Sequence, residues 1–267
     1  SGVSVTIRPG DSDGSEDVVH GDWLAGCDGG RSTVRRSLGV EFEGYTWPER
    51  FCVLTTSRDA ERDLGCCYRN YFADPDEWAN LFKVAGDDLS GRWRVVFPTA
   101  AGESDDDALS DASAQSRLRR VLPADGPVEI IHRNLYRVHQ RVASVFRVGR
   151  VFLAGDAAHV NNPIGGLGMN CGVHDAIELV DTLELARGRA DDDHVLDRYE
   201  RRRRTLNLEF VQEQTVANKR RLEERDPARR RQRLDELAAI AGDRDRHRAF
   251  LRRTSLLDSV RRAHAIA

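Results

Sequence analysis

Residues 150–175, RVFLAGDAAHVNNPIGGLGMNCGVHD, join a short apolar run to a glycine-rich loop and then to a long helical pattern. Few folds accommodate that order. Val151, Phe152, Leu153 and Ala154 are apolar without alternation, as an interior strand of a parallel sheet requires. Asp156 stands just past the carboxyl end of the run, where open α/β sheets bind ligands. Pro163, Gly165, Gly166 and Gly168 let the backbone approach a planar ligand closely. Met169, Val173, Ala176, Ile177, Val180 and Leu183 then recur at helical spacing and predict one apolar face, with the helix pointing its amino end at the loop.

The residue types in this stretch suit particular chemistry. Asp156, fixed by rigid neighbours, can accept a hydrogen bond from a sugar-like hydroxyl, and capping of the loop is the simpler alternative. The backbone N–H groups of Gly168, Met169 and Asn170 combine with the positive end of the helix and suit an anion. Upstream, Asp28, Arg31 and Arg35 surround a tight Gly29-Gly30 turn entering a helix, with the arginines at i and i+4. An arginine fork matches phosphate oxygens, and a capped surface helix with salt bridges is the rival account.

Two ordered motifs carry a family resemblance. Gly155-Asp156-Ala157-Ala158-His159, Pro163, Gly165-Gly166-Leu167-Gly168-Met169-Asn170 and Asp175-Ala176 are similar to the second flavin motif of the single-component FAD-dependent aromatic hydroxylases, the p-hydroxybenzoate hydroxylase class. Gly26-Cys27-Asp28-Gly29-Gly30-Arg31-Ser32-Thr33-Val34-Arg35-Arg36 resembles the Asp-Gly motif of the same class. The resemblance implies an α/β fold: an incomplete Rossmann-like FAD/NAD(P)-binding domain, an inserted antiparallel β-sheet substrate domain and carboxyl-terminal helices. It implies hydroxylation of a small aromatic, phenolic substrate by O2, with FAD as cofactor and NADH or NADPH as reductant. Asp156 is then expected on the ribityl chain. Gly155, Gly165, Gly166 and Leu167 complete the loop, and Gly168, Met169 and Asn170 face the N1–C2=O edge of the flavin. Pro163 lies near the flavin face, and Asp28, Gly29 and Arg35 contact FAD and the nucleotide pyrophosphate. His159 is expected to position rather than catalyse, and no residue stands out as a base.

The Gly-x-Gly-x-x-Gly turn with which this class opens is missing from the sequence. A missing amino-terminal segment or chain, a split gene and a degenerate protein each account for that. Two other functional classes therefore stand beside hydroxylation: another flavoenzyme on the same fold, such as a halogenase or a reductase, and a non-enzymatic binding module. Trp23, Trp47, Trp78 and Trp93 form no Trp-x-Trp motif, which argues against the tryptophan halogenases.

Charge and composition narrow the partners. With 41 basic and 44 acidic residues the net charge is -3, so no global field favours nucleic acid or an anionic membrane. No apolar run is long enough to span a bilayer and no signal-peptide pattern opens the chain, making cytoplasmic the default location. Cys27, Cys52, Cys66, Cys67 and Cys171 are odd in number and read as reduced thiols, with Cys66 and Cys67 as buried small apolar residues, and histidine spacing indicates no metal site. A homodimer is a further candidate assembly.

The expected organisation is a partial FAD-binding domain at 1–45, a substrate-binding β-sheet domain at 46–140, the Gly-Asp part of the FAD-binding domain at 141–190 and a helical region at 191–267. Strands are expected at Phe51–Leu54, Tyr68–Phe72, Leu81–Val84, Trp93–Phe97 and Val128–His139, helices at Arg31–Leu38 and Ala112–Leu122, and an opening strand at Ser1–Ile7. Tyr68, Arg69, Tyr71, His132 and Arg133 are the candidates to face substrate. Arg201–Arg204 reads as a solvated helix face.

Overall fold

The computed structural model describes residues 2–8, 15–86, 90–189 and 192–267. Ser1, at the head of the expected opening strand, and Asp191, at the head of the expected helical region, lie outside them. In chain order come β1 (Val3–Ile7), β2 (Asp17–Gly21), β3 (Leu24–Gly26), helix α1 (Thr33–Ser37) and the long strand β4 (Phe42–Thr56). Helix α2 (Ala60–Leu64), strands β5 (Arg69–Phe72), β6 (Ala79–Val84) and β7 (Arg92–Pro98), and helices α3 (Asp105–Leu109) and α4 (Asp111–Val121) follow. Next are β8 (His132–Ala143), β9 (Arg147–Val148), β10 (Val151–Leu153), a 3-10 turn at Gly155–Ala157 and β11 (His159–Val160). Helices α5 (Leu167–Ala186), α6 (Asp193–Leu206), α7 (Glu213–Leu222), α8 (Pro227–Gly242), α9 (Arg244–Thr254) and α10 (Leu257–His264) complete the chain, with a π-helical stretch at Asn207–Gln212 between α6 and α7.

These elements divide into two compact units. The first comprises residues 1–45, 140–215 and 249–267, and the second residues 46–139 and 216–248. In the first, β10 pairs in parallel with β3, setting Val151 beside Leu24 and Leu153 beside Gly26, while β9 pairs antiparallel on the other side. β1 and β2 form a separate antiparallel pair. Phe146, Phe152, Leu153, Leu179, Leu196 and Tyr199 make its core. The Phe152 and Tyr199 rings meet edge to face at 5.7 Å, and the Tyr199 hydroxyl donates to the Leu153 carbonyl at 2.7 Å, pinning α6 beneath β10.

Helix α5 leaves much of the expected apolar face in solvent. Met169, Val173, Ile177 and Val180 are 78, 52, 57 and 55 % exposed, while Leu167, Cys171, Asp175, Leu179, Thr182 and Ala186 are buried. Periodicity alone favoured the more apolar stripe. A buried charge network, described below, turns the helix the other way.

In the second unit an antiparallel sheet runs β8-β4-β7-β6-β5. Alternate residues Trp93, Val95 and Phe97 of β7 enter a core with Cys52, Leu54, Leu81, Leu118 and Leu122, as the two-residue strand period requires. Arg117 of α4 is buried and donates to Glu77 at 2.8 Å and to both carboxylate oxygens of Glu103 at 2.9 and 2.7 Å. The strand expected from Val128 begins only at His132, because the Gln115 side chain takes both backbone groups of Val128, at 2.6 and 2.8 Å. Among the described residues no helix is long and apolar enough to cross a membrane.

Leu118 is fully buried in this second core. We expect Leu118→Ala to cost ~2–5 kcal/mol, read as a lower urea midpoint at unchanged slope; a loss below ~1 kcal/mol would contradict this packing.

Candidate flavin site at the ends of two parallel strands

The parallel ladder places the two glycine motifs side by side. Leu153 lies opposite Gly26, and the Ala154 N–H donates to the Gly26 carbonyl at 3.1 Å. Both strands therefore release their chains at the same sheet edge, the turn holding Asp28 from β3 and the turn holding Asp156 from β10. Only glycine fits at position 26, where a Cβ would stand 2.9 Å from Val34 and 3.1 Å from Leu153.

Arg35 locks the two turns together. Its guanidinium donates to the Ala157 carbonyl at 2.7 Å and to the Gly30 carbonyl at 2.8 Å and lies 3.7 Å from the centroid of the Phe42 ring. The fork expected to grip phosphate is thus buried and engaged with protein carbonyls. Arg31 precedes α1 and is exposed, so the two arginines do not share a helix face. Asp28 accepts from the Thr33 and Val34 N–H groups at 2.6 and 3.1 Å and caps α1. Burial works to raise its pKa, but Ser32 and those N–H groups outweigh it and hold the carboxyl below its usual range. Gly29 carries φ +78 and is half-buried.

Gly155, with φ +59, starts the 3-10 turn that presents Asp156 to solvent. The Asp156 carboxylate has no partner among the described residues. Pro163 is exposed, and its carbonyl accepts from the Gly166 N–H at 3.0 Å. Gly165 and Gly166 take φ +114 and +66, leaving Gly166 as a left-handed cap with no side chain over the first turn of α5. Leu167 turns into the core, Gly168 is half-buried, and Met169 and Asn170 are exposed, with the Asn170 amide donating to the Gly166 carbonyl at 2.8 Å. The preceding segment is held by buried amides: the Gln140 oxygen accepts from the backbone and side-chain N–H of Asn162 at 3.1 and 3.0 Å.

Beneath the loop lies a charge network that joins two residues of the motif, His159 and Asp175, to Arg203 of α6. Asp175 is fully buried; its Oδ1 accepts from Arg203 Nε at 2.6 Å, and its Oδ2 from the Gly155 N–H at 3.0 Å and His159 Nε2 at 2.7 Å. Burial opposes charge on His159, but the hydrogen bond and charge of Asp175 overcome it and push the imidazole up to about 10. Its ring stacks on Phe146 with centroids 6.1 Å apart, a contact that favours the cation. Ligand-type atoms of His159, Cys171 and Asp175 lie within 4.8 Å of one another. Arg203 supplies the positive charge there, its Nη2 reaching the Cys171 sulfur at 3.2 Å.

The arginine run on α6 is therefore not a solvated face. Arg203 is buried, Arg202 pairs with Glu178 at 3.0 Å, and Arg204 reaches Glu43 at 3.0 Å. A heptad pattern could have found Arg203, since it falls with Leu196, Tyr199 and Leu206 on the buried side of α6. All the cysteines are free, with Cys52 and Cys171 buried and Cys27 exposed; of the two expected to be buried, Cys66 is half-buried and Cys67 exposed. In the second unit Tyr68, Arg69, Tyr71 and His132 are exposed, and Arg133 is engaged by Asp111 and the Leu109 carbonyl, both at 2.6 Å.

The His159 pKa lies at about 10 folded against an ordinary 6.5, so its stabilising contribution is complete below pH 6.5 and is lost as the pH rises through about 10. Thermal unfolding should show a midpoint that falls across that window, and His159→Asn should flatten the fall. A wild-type midpoint independent of pH there would exclude the charged imidazole.

Comparison with known proteins matches this geometry. The chain is 40 % identical over 233 residues to para-nitrophenol 4-monooxygenase of Pseudomonas sp. strain WBC-3, covering 85 % of this chain and 55 % of the relative. It is 36 % identical to 6-hydroxy-3-succinoylpyridine 3-monooxygenase of Pseudomonas putida strain S16, covering 88 % of this chain and 59 % of the relative. The crystal structure of p-nitrophenol 4-monooxygenase from Pseudomonas putida DLL-E4 superposes with a TM-score of 0.81 at 33 % identity, over 92 % of this chain and 63 % of that one. The chain thus spans a little over half the length of the curated relatives it matches. A family described as the FAD binding domain matches residues 1–214, and the chain belongs to that family.

Proposed function

We propose that this chain is the flavin-facing part of an FAD-dependent monooxygenase that hydroxylates a small phenolic ring with O2 and NADH or NADPH. The observation that carries the reading is the convergence, in one unit, of the exposed Asp156 carboxylate and the uncapped amino end of α5 on the loop that leaves β10. These groups fit the cofactor's inner half. An unpartnered carboxylate suits a ribityl hydroxyl, and first-turn N–H groups, which lack intrahelical acceptors, suit the electron-rich N1–C2=O edge. The activities of the relatives as monooxygenases support the reaction type.

Each residue has a task in this reading. Asp156 orients the ribityl chain, and the N–H groups of Gly168, Met169 and Asn170 stabilise negative charge on the ring edge. Pro163 with Gly165 and Gly166 covers the face of the ring and excludes water. Asp28 and Gly29 form the rim, shaped from below by Arg35. FAD bound there supplies hydride acceptance and activation of O2, chemistry that side chains do not provide.

Among the described residues β3 is an edge strand of its sheet, and α5 presents Met169, Val173, Ile177 and Val180 to solvent.

If only the inner half of the cofactor is gripped here, the chain should bind FMN and FAD with dissociation constants within about threefold, because the adenylate adds few contacts. Asp156→Ala should weaken both by roughly tenfold, ~1.4 kcal/mol, the worth of a charge-assisted hydrogen bond. Equilibrium titration by flavin fluorescence measures this. Absence of binding to either flavin, or an unchanged affinity in Asp156→Ala, would count against the reading.

A further inference from the structure

We propose that Asp175 is the positioning residue of the Gly155–Ala157 turn, holding the loop from inside through a carboxylate clamped by Arg203 and His159. The flavin role of that loop rests on the function proposed above; the clamp itself does not.

Three contacts fill the carboxylate. Oδ1 takes Arg203 from α6, and Oδ2 takes His159 from β11 together with the Gly155 N–H. Asp175 belongs to α5, so one buried group ties α5, α6, β11 and the turn that presents Asp156. Gly155 sits in a left-handed conformation, and its N–H points inward. Without Asp175 that donor has no acceptor, and the turn can reorient its following carboxylate.

A second, independent contact fixes the same point by packing. Gly172 of α5 lies against the turn, and a Cβ there would come within 3.3 Å of the Gly155 Cα. The helix thus holds Gly155 by backbone contact on one side and by charge on the other. Leu167, where α5 begins, and Asp175 share this buried face, so a shift of the clamp moves both halves of the loop together.

The titratable groups around the clamp come from several elements. Asp175, Cys171 and His174 lie on α5, Arg203 and Tyr199 on α6, His159 on β11, and Cys27 follows β3. Asp175 is the only carboxylate named among them, and its hydrogen bonds to two potential cations make a neutral substitute a poor replacement. In Asp175→Asn, an amide that keeps its oxygen on Gly155 and His159 must turn its NH2 toward Arg203, setting donor against donor and leaving a buried guanidinium unpaired. Removing the opposing charge as well, in Asp175→Asn with Arg203→Met, removes the orphaned cation and lets the amide oxygen stay on Gly155.

The test is hydrogen exchange of the Gly155 amide by NMR in the 267-residue chain, with flavin titration on the same samples. Asp175→Asn should speed Gly155 exchange at least tenfold and weaken FMN binding at least fivefold. The double variant should recover most of both effects, and Gly172→Ala should perturb Gly155 without changing the titration of His159. Should Asp175→Asn unfold, the double variant is compared with Asp175→Ala in the same Arg203→Met background, because only a clamp predicts that the Asn oxygen protects Gly155 better than alanine does. Unchanged Gly155 exchange in Asp175→Asn, or an Asn double variant no better protected than the Ala one, overturns the clamp. Fast exchange with no flavin binding in the wild type keeps the clamp and overturns the flavin reading instead.

Discussion

The rest of the candidate site depends on the parallel pairing of β3 with β10. Residues more than a hundred positions apart in sequence leave the sheet at one edge because Leu153 stands beside Gly26. Arg35 then joins the two turns by donating to one carbonyl from each, a use of the guanidinium that costs desolvation and returns it as two charge-assisted hydrogen bonds and a stacked ring. Every ligand contact assigned above is made by backbone or short side chains that this arrangement has already placed.

Burial of charge sets the second level of organisation. Moving Asp175, Arg203 and His159 out of water is expensive, and the site recovers that cost only because each carboxylate oxygen has a strong donor and each donor a fixed element behind it. The same network decides which face of α5 is buried. An apolar stripe is left in solvent as a result, and among the described residues β3 is an edge strand of its sheet.

Much of this was legible beforehand, for local reasons. The apolar run Val151–Ala154 and the glycines after it dictate strand, loop and helix within one short stretch, and β4, β6 and β7 follow from alternation and turn residues. The Val128 boundary failed because a side chain from α4, Gln115, took the backbone groups that a strand would have used. Arg35 and Arg203 failed for a related reason. Composition reads an arginine as solvated or ligand-binding, whereas a long side chain can reach buried partners supplied by distant segments.

By itself the sequence determined the strand-loop-helix of the Gly-Asp segment, the tight turn at Asp28, the antiparallel character of the second unit and the family to which these motifs point. Periodicity and glycine placement act over a few residues, so they survive without knowledge of the fold. Tertiary structure alone decided that the two motifs meet, that Arg35 bridges them, that α5 buries Asp175 instead of Val173 and Ile177, and that Arg203 turns inward. Those outcomes depend on hydrogen-bond partners more than a hundred residues apart, such as Ala154 and Gly26 at 3.1 Å, which only the folded chain brings together.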